Sequence, residues 1–543
     1  MSNFNLADVW DLGAETLPDR PAQLHGDRVQ TWAEFDRRAR ALGADLLDAG
    51  LGHQAKVATY LYNGPEYLET YAAAFKVGMV PANTNYRYGA EEVAYLLGNA
   101  DAEAVVFDVD FAPLLGRIRE RLPLVKRWYA VGGPAPDWAV DYEAAASSGR
   151  DAQAPWGRSG DDLLLLYTGG TTGMPKGVMW RQDDLFGVLG GGGNPLTGVP
   201  PVRDLDELGG RLRDGRGEPQ VVFLPACPLM HGTGQFSAFI ALNGGGCVVT
   251  QTDRAFDPGR LWRLAADTGA TNIAIVGDAF ARPMLADLDA HPGAYDLSRL
   301  VAINSSGVMW SHEVKEGLAR HLPTTIFFDS LGSSEAVGLG SSLSGGDTAA
   351  DTARFQLGAG ARVLTPDDRD VVAGSGDVGL IALPGFVPLG YYKDPDKSAR
   401  TFRTIDGVRY VLPGDWATVD GDGSIRLLGR GSVVINTGGE KVFPEEVEEV
   451  VKRHPGVADA VCVGVPDERF GQVVCALVEP VAGHTVDPDA LIESVRSRLA
   501  RFKAPRVVVA VDSIGRSPAG KVDYRELTRL AAERAGAGAD GLR

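Results

Sequence analysis

The sequence predicts an α/β chain made of a large N-terminal unit and a smaller C-terminal one. Three observations predict it. Short apolar runs of strand length alternate with stretches of helical period, the pattern of layered α/β folds. Glycine- and hydroxyl-rich turns follow several of these runs directly, and strand ends are where α/β sheets place ligands. The 543 residues also exceed what one hydrophobic core usually organises.

Residues 31–50 read as an amphipathic helix, because Trp32, Phe35, Ala39, Leu42 and Leu46 fall near helical spacing. Strands follow at 57–61 and 104–107, and helices at 66–77 and 91–98. The alternation points to parallel pairing. The run 163–166 reads as a buried strand. Residues 187–217 hold four consecutive glycines, several prolines and mixed charges, and read as a long mobile loop or lid. Further strands are expected at 221–225, 246–250, 273–276, 325–328, 408–411 and 426–429. Beyond these a smaller unit begins, with helix 445–453, strands 459–465 and 473–479, and helix 488–499. The Gly/Ala-rich end from about Ala535 reads as frayed.

Composition narrows the function classes. A net charge of −18 argues against nucleic acid or an anionic membrane surface as main partner. The four cysteines form no C-x-x-C pair, so neither a zinc site nor a disulfide framework is indicated. The polar, acidic start lacks the features of a signal peptide, and no apolar run is long enough to span a bilayer. A cytoplasmic location is the expectation.

The most informative stretch is Tyr167-Thr-Gly-Gly-Thr-Thr-Gly-Met-Pro-Lys-Gly177. Its glycines (Gly169, Gly170, Gly173, Gly177) let backbone N–H groups approach an anion. Its hydroxyls (Thr168, Thr171, Thr172) donate to phosphate oxygens or face a metal, and Lys176 adds a mobile charge. The physical reading is a triphosphate cradle. It differs from a G-x-x-x-x-G-K-[ST] loop, since Gly177 follows the lysine.

The second motif is Asp329-Ser-Leu-Gly-Ser-Ser-Glu335, placed at the end of the strand expected at 325–328. A carboxylate there can hold Mg2+, which takes hard oxygen ligands and bridges phosphates. The third, Leu412-Pro-Gly-Asp415, sets a carboxylate where it can accept two ribose hydroxyls, though a plain Pro-Gly-Asp turn reads the same way. The fourth runs from Leu428 through Arg430, Ser432, Gly438, Gly439, Glu440 and Lys441 to Glu448, and the fifth from Arg516 to Tyr524 through Lys521. Three more segments mix apolar surface with glycine, as small-molecule pockets do: Pro228 to Gln235 with His231, Gly277-Asp278-Ala-Phe280 to Pro283, and Ser305-Ser306-Gly307 to Trp310. The same residues would be ordinary in any core.

Five motifs in this order resemble the adenylate-forming superfamily of acyl-CoA synthetases, peptide-synthetase adenylation domains and firefly-type luciferases. The likeness spans nearly the whole chain and is greatest to actinobacterial synthetases for fatty or steroid side-chain acids. It implies a multi-sheet adenylation domain over 1–431 and a small mobile α+β domain over 432–543. Thr168, Gly169, Gly170, Thr171, Thr172, Gly173 and Lys176 would bind the phosphates. Asp329, Ser330, Leu331, Gly332, Ser333 and Ser334 would hold the adenine and phosphate end, with Leu331 where the family more often has an aromatic. Glu335, with Thr168, would hold Mg2+. Asp415 and Arg430 would hold the ribose. His231, Gly277, Asp278, Phe280, Ser306, Gly307 and Trp310 would line the acid pocket. Ser432 stands at the hinge, where Asp or Lys is commoner. Gly438, Gly439, Glu440 and Lys441 would border the path of coenzyme A. Lys521 would close over the site.

The implied reaction joins a carboxylic acid to CoA at the expense of ATP, with no covalent enzyme intermediate. The resemblance is compatible with a homodimer. A second reading keeps the adenylation but activates nitrite and diazotises an aromatic amine without CoA. A third is a catalytically silent nucleotide-binding regulator, against which the retained Lys176, Glu335 and Lys521 speak.

Overall fold

The structure is a computed structural model. It describes residues 3–151, 153–168, 174–194, 198–308, 310–345, 353–430, 435–437, 440–467, 470–499, 501–516 and 522–539. Gly169, Gly170, Thr171, Thr172, Gly173, Ser432, Gly438, Gly439 and Lys521 lie outside that set.

Among the described residues the strands form three sheets. In the first, Pro21–His25, Cys247–Thr250, Val222–Pro225, Asn272–Ile275, Ala302–Ser306 and Ile326–Leu331 lie side by side and parallel. Val222–Pro225, Cys247–Thr250 and Asn272–Ile275 are buried almost throughout, which explains why they read as apolar runs and not as alternating ones. The same sheet continues antiparallel through Gly340–Ser344, Arg354–Leu357, Ile425–Arg430, Asp415–Val419 and Val378–Pro384. Parallel pairing holds where it was expected, between Lys56–Tyr60 and Ala102–Asp108 in the second sheet, whereas the first sheet is parallel only over those six strands. Asp329 and Asp415 sit on strands of one sheet, separated by three others.

The second sheet runs Gly390–Tyr391, Lys176–Arg181, Leu163–Thr168, Val80–Asn83, Lys56–Tyr60, Ala102–Asp108 and outward. The helix Trp32–Asp48 matches the expected 31–50, and its five apolar positions are all buried. Thr31 caps it by accepting a hydrogen bond from the Glu34 N–H. The third sheet belongs to the C-terminal unit. Val457–Asp467 and Gly471–Pro480 form a long antiparallel pair, with helices Pro444–Lys452 and Pro488–Arg496 sharing an apolar core against it.

Two expectations are corrected. Residues 187–217 are not a bare loop: Leu205–Asp214 is a helix capped by Asp204, with Leu208 and Leu212 buried. It packs along helix Leu6–Thr16, and Arg211 donates to the Pro200 carbonyl at 2.6 Å. Leucines at helical spacing were masked in sequence by surrounding glycines and charges. The second motif also begins inside its strand, because Ile326–Leu331 carries Asp329, Ser330 and Leu331 before the turn starts at Gly332.

All four cysteines are buried, and burial pushes the thiols of Cys227, Cys247 and Cys475 up to about 12. They are packing residues with no thiolate character near neutral pH. No helix among the described residues is long and apolar enough to cross a membrane.

Candidate active site

The segment expected to bind phosphate joins two paired strands in sequence. Leu163–Thr168 and Lys176–Arg181 pair antiparallel with Thr168 opposite Lys176, so the loop leaves and re-enters one strand pair. The adjoining strand holds its root. The side chain of Asn83, 2% exposed, accepts from the Tyr167 N–H at 2.6 Å and donates to the Tyr167 carbonyl at 2.8 Å. Asn83 also donates to the Met230 carbonyl at 2.7 Å, directly before His231. One amide therefore joins the phosphate loop to the segment expected to gate the acid. Asn83→Leu would leave three buried backbone groups unpaired. The expected results are a stability loss of about 3 kcal/mol or more and a raised KM for ATP. Denaturant unfolding and steady-state kinetics check both, and an unchanged KM would contradict the coupling.

Lys176 begins the returning strand and is partly exposed. It forms an ion pair with Asp394, whose carboxyl this hydrogen bond holds below its ordinary value. The pair is partly exposed, and such pairs contribute little to stability.

The second motif closes against this hairpin. Trp180, on the strand leaving the loop, donates its indole N–H to the Ser334 carbonyl at 3.0 Å. The Ser333 N–H donates to the Ala336 carbonyl at 2.8 Å, which turns the chain after Gly332. Glu335 is 9% exposed and accepts from the Tyr391 hydroxyl at 2.8 Å. Gly232 stands where a Cβ would meet Leu166 at 3.4 Å and the Ser334 hydroxyl at 3.8 Å, so the gate segment comes up against both motifs. Asp329 is buried and ion-paired with Lys315 at 3.1 Å. Burial pushes its carboxyl up to about 6, and Lys315 acts against that rise.

The segments expected to line the acid pocket lie alongside. Ser306 is opposite Ser330 across two parallel strands. The Gly277 N–H donates to the Ser305 hydroxyl at 2.9 Å, and Gly277 has a positive φ of 53° that favours glycine. A Cβ on Gly307 would come within 3.8 Å of Val276 and 4.0 Å of the Thr233 hydroxyl. Asp278 accepts from the Ser311 N–H at 2.9 Å, which joins two pocket segments. His231 is half-buried at the start of helix Gly232–Asn243. Trp310 and Phe280 are packed as core, edge-on to Phe327 and Phe256 respectively. Asp415 is buried and stands opposite Arg430 in register across an antiparallel pair. Glu440 and Lys441 lie in the short strand Glu440–Val442.

Among the described residues no cluster of His, Cys, Asp or Glu could hold a metal by itself. One buried carboxylate beside a threonine at a strand end suits Mg2+ brought in with a nucleotide, since that ion keeps waters and takes phosphate oxygens. Glu335 offers a buried carboxylate with the Tyr391 hydroxyl on its Oε1, and Thr168 ends its own strand. Sequence reading missed Lys315, Tyr391, Asp394, Trp180 and Asn83. Their partners lie between 14 and 218 residues away, beyond the reach of local pattern.

Comparison with known proteins gives the family and the fold. Residues 10–392 match the family described as AMP-binding enzyme, and residues 446–521 match the AMP-binding enzyme C-terminal domain. The chain is 41% identical to a 3-oxocholest-4-en-26-oate–CoA ligase of Rhodococcus rhodochrous, over 96% of this chain and 95% of that protein. It is 38% identical to a medium/long-chain-fatty-acid–CoA/3-oxocholest-4-en-26-oate–CoA ligase of Mycolicibacterium smegmatis, over 98% and 97%. Its fold is similar to that of the anthranilate CoA ligase AuaEII in complex with anthranoyl-AMP, with a TM-score of 0.83, 19% identity and 99% of each chain covered.

Proposed function

The chain belongs to the AMP-binding enzyme family, and from that premise we propose that it is an ATP-dependent carboxylic acid–CoA ligase acting through an acyl-adenylate. The observation that carries the site reading is the convergence at one strand pair. Thr168 and Lys176 face each other at the root of the phosphate loop, Trp180 holds Ser334, and Glu335 is held from the segment that also pairs with Lys176.

In the first half-reaction a carboxylate oxygen attacks the α-phosphorus of ATP and pyrophosphate leaves. Lys176, Thr168, Thr171, Thr172 and the loop N–H groups bind and orient the phosphates. Glu335 and Thr168 would hold Mg2+, which supplies charge neutralisation on the phosphates when bound. Asp329 to Ser334 hold the base and Asp415 with Arg430 the ribose. Lys521 covers the reacting phosphate, where charge builds on the equatorial oxygens. In the second half-reaction the CoA thiol attacks the acyl carbonyl and AMP leaves. The small domain, from residue 432, turns about Ser432 between the steps, withdraws Lys521 and brings the Gly438 to Lys441 segment to the CoA path.

The substrate class follows from the relatives, whose names specify medium- and long-chain fatty acids and a steroid side-chain acid. Those names favour the ligase over the nitrite-activating diazotase. The test of the adenylate is exchange of labelled pyrophosphate into ATP without CoA. The proposal expects exchange that requires an acid of this class. Exchange that no acid stimulates would contradict it.

A further inference from the structure

We propose that Tyr391 is a positioning residue for Glu335, an assignment that rests on the reading of Glu335 as the metal carboxylate. Gly390–Tyr391 is a two-residue strand laid antiparallel on Lys176–Arg181, with Tyr391 opposite Val178. Backbone bonds on both sides fix it there: the Leu389 N–H donates to the Met179 carbonyl, and the Tyr392 N–H to the Gly177 carbonyl, each at 2.8 Å. The segment is thus attached to the strand that leaves the phosphate loop.

Its side chain is held equally firmly. Tyr391 is 4% exposed and meets Phe402 edge-on at 5.7 Å between centroids. Its N–H donates to the Ser398 hydroxyl at 2.8 Å. A Cβ at Gly390 would stand 2.9 Å from that hydroxyl, so this close approach requires glycine. The ammonium groups of Lys397 and Lys176 lie 4.6 and 5.9 Å from the centre of the ring. From this fixed ring the hydroxyl donates to Glu335 Oε1 at 2.8 Å in a buried setting.

A glutamate has three rotatable side-chain bonds, and holding it still in advance removes that freedom before a ligand arrives. The Tyr391 hydroxyl does this from one carboxylate oxygen and leaves the other for a hard cation. Hydrogen-bond partners of this kind tune metal affinity without touching the metal. Asp394, three residues further on, pairs with Lys176. One short segment therefore holds both the carboxylate and the cation of the phosphate end.

Calorimetric titration of ATP binding across a range of Mg2+ concentrations, with neither acid nor CoA present, tests this on the full-length wild type, Tyr391→Phe and Glu335→Gln. The phenylalanine keeps the ring contacts and removes only the hydroxyl. Tyr391→Phe is expected to raise the Mg2+ needed for half-maximal ATP binding about tenfold, with ATP binding in EDTA as in the wild type. Glu335→Gln is expected to remove most of the Mg2+ dependence. If Glu335→Gln loses that dependence and Tyr391→Phe keeps the wild-type curve, the positioning role is overturned while the metal reading stands. A lowered midpoint in Tyr391→Phe with an unmoved Mg2+ curve assigns the hydroxyl to stability and equally overturns it. If Glu335→Gln retains the wild-type dependence, the metal reading fails and the proposal with it.

Discussion

Lys521→Ala is expected to slow acid-dependent adenylate formation by about a hundred- to a thousandfold and to leave thioester formation from supplied acyl-adenylate near the wild-type rate. A cation aimed at the equatorial oxygens matters only while charge is building there, in a site from which water is excluded. The second step attacks the acyl carbon and breaks its bond to the phosphate oxygen of AMP, so no pentavalent phosphorus forms for that cation to stabilise. The residues beside Lys521 show how it is carried. Arg516 is bonded to Asp459 at 2.5 and 3.0 Å, with Lys452 on the same carboxylate at 3.1 Å. On the other side, helix Tyr524–Ala539 packs Leu527 and Ala531 into the apolar layer beneath the long antiparallel pair. The described residues on either side of that segment are thus both attached to the C-terminal sheet. Pyrophosphate exchange measures the first step, and CoA consumption with synthetic acyl-adenylate measures the second. Equal loss in both assays would contradict a role confined to adenylation.

The parts of this account that sequence alone provided share a physical origin. A strand buried on both faces must be apolar throughout, so the run at 163–166 declared itself. A helix with one buried face repeats near 3.6 residues, so Trp32, Phe35, Ala39, Leu42 and Leu46 did as well. The segment expected to bind phosphate stood out in sequence because close anion approach restricts residue type. What escaped was side-chain pairing across the fold. Lys315 looks like any charged residue on helix His312–His321, yet it points inward to Asp329. Tyr391 lies 56 residues from Glu335 in sequence, and Asp394 lies 218 from Lys176. Nothing local marks either pair. The helix Leu205–Asp214 escaped for a different reason, since its caps and charges resemble loop composition.

Lys315→Met is the second large effect. Lys315 and Asp329 have side-chain exposures of 1% and 9%, and the lysine ammonium also lies 5.5 Å from the centre of the Trp310 ring. Removing one member of a buried pair strands the other, at a cost of about 3–5 kcal/mol. The pH dependence separates this from lost packing. Asp329 titrates at about 6 in the fold against 3.8 for an ordinary aspartate. Between those values the folded chain keeps a proton that the unfolded chain has released, so stability from this group falls as pH rises through that window. Without Lys315 the folded value rises further and the window extends upward. The deficit of Lys315→Met is therefore expected to be small near about pH 5, where Asp329 is largely protonated in either protein, and full near about pH 7.5. ATP affinity should weaken in parallel, because Asp329 belongs to the motif assigned to the base. Denaturant unfolding at the two pH values checks the sign. An equal deficit at both would mean that only packing was lost.

The central claim is that this chain couples acid activation to thioester formation. Its most direct test is to follow free CoA thiol and AMP together, with ATP, Mg2+ and a panel of fatty, aromatic and steroid side-chain acids. The account predicts that thiol disappears in step with AMP release for medium- or long-chain fatty acids or a steroid side-chain acid. AMP release with no loss of thiol for any acid in the panel would contradict it.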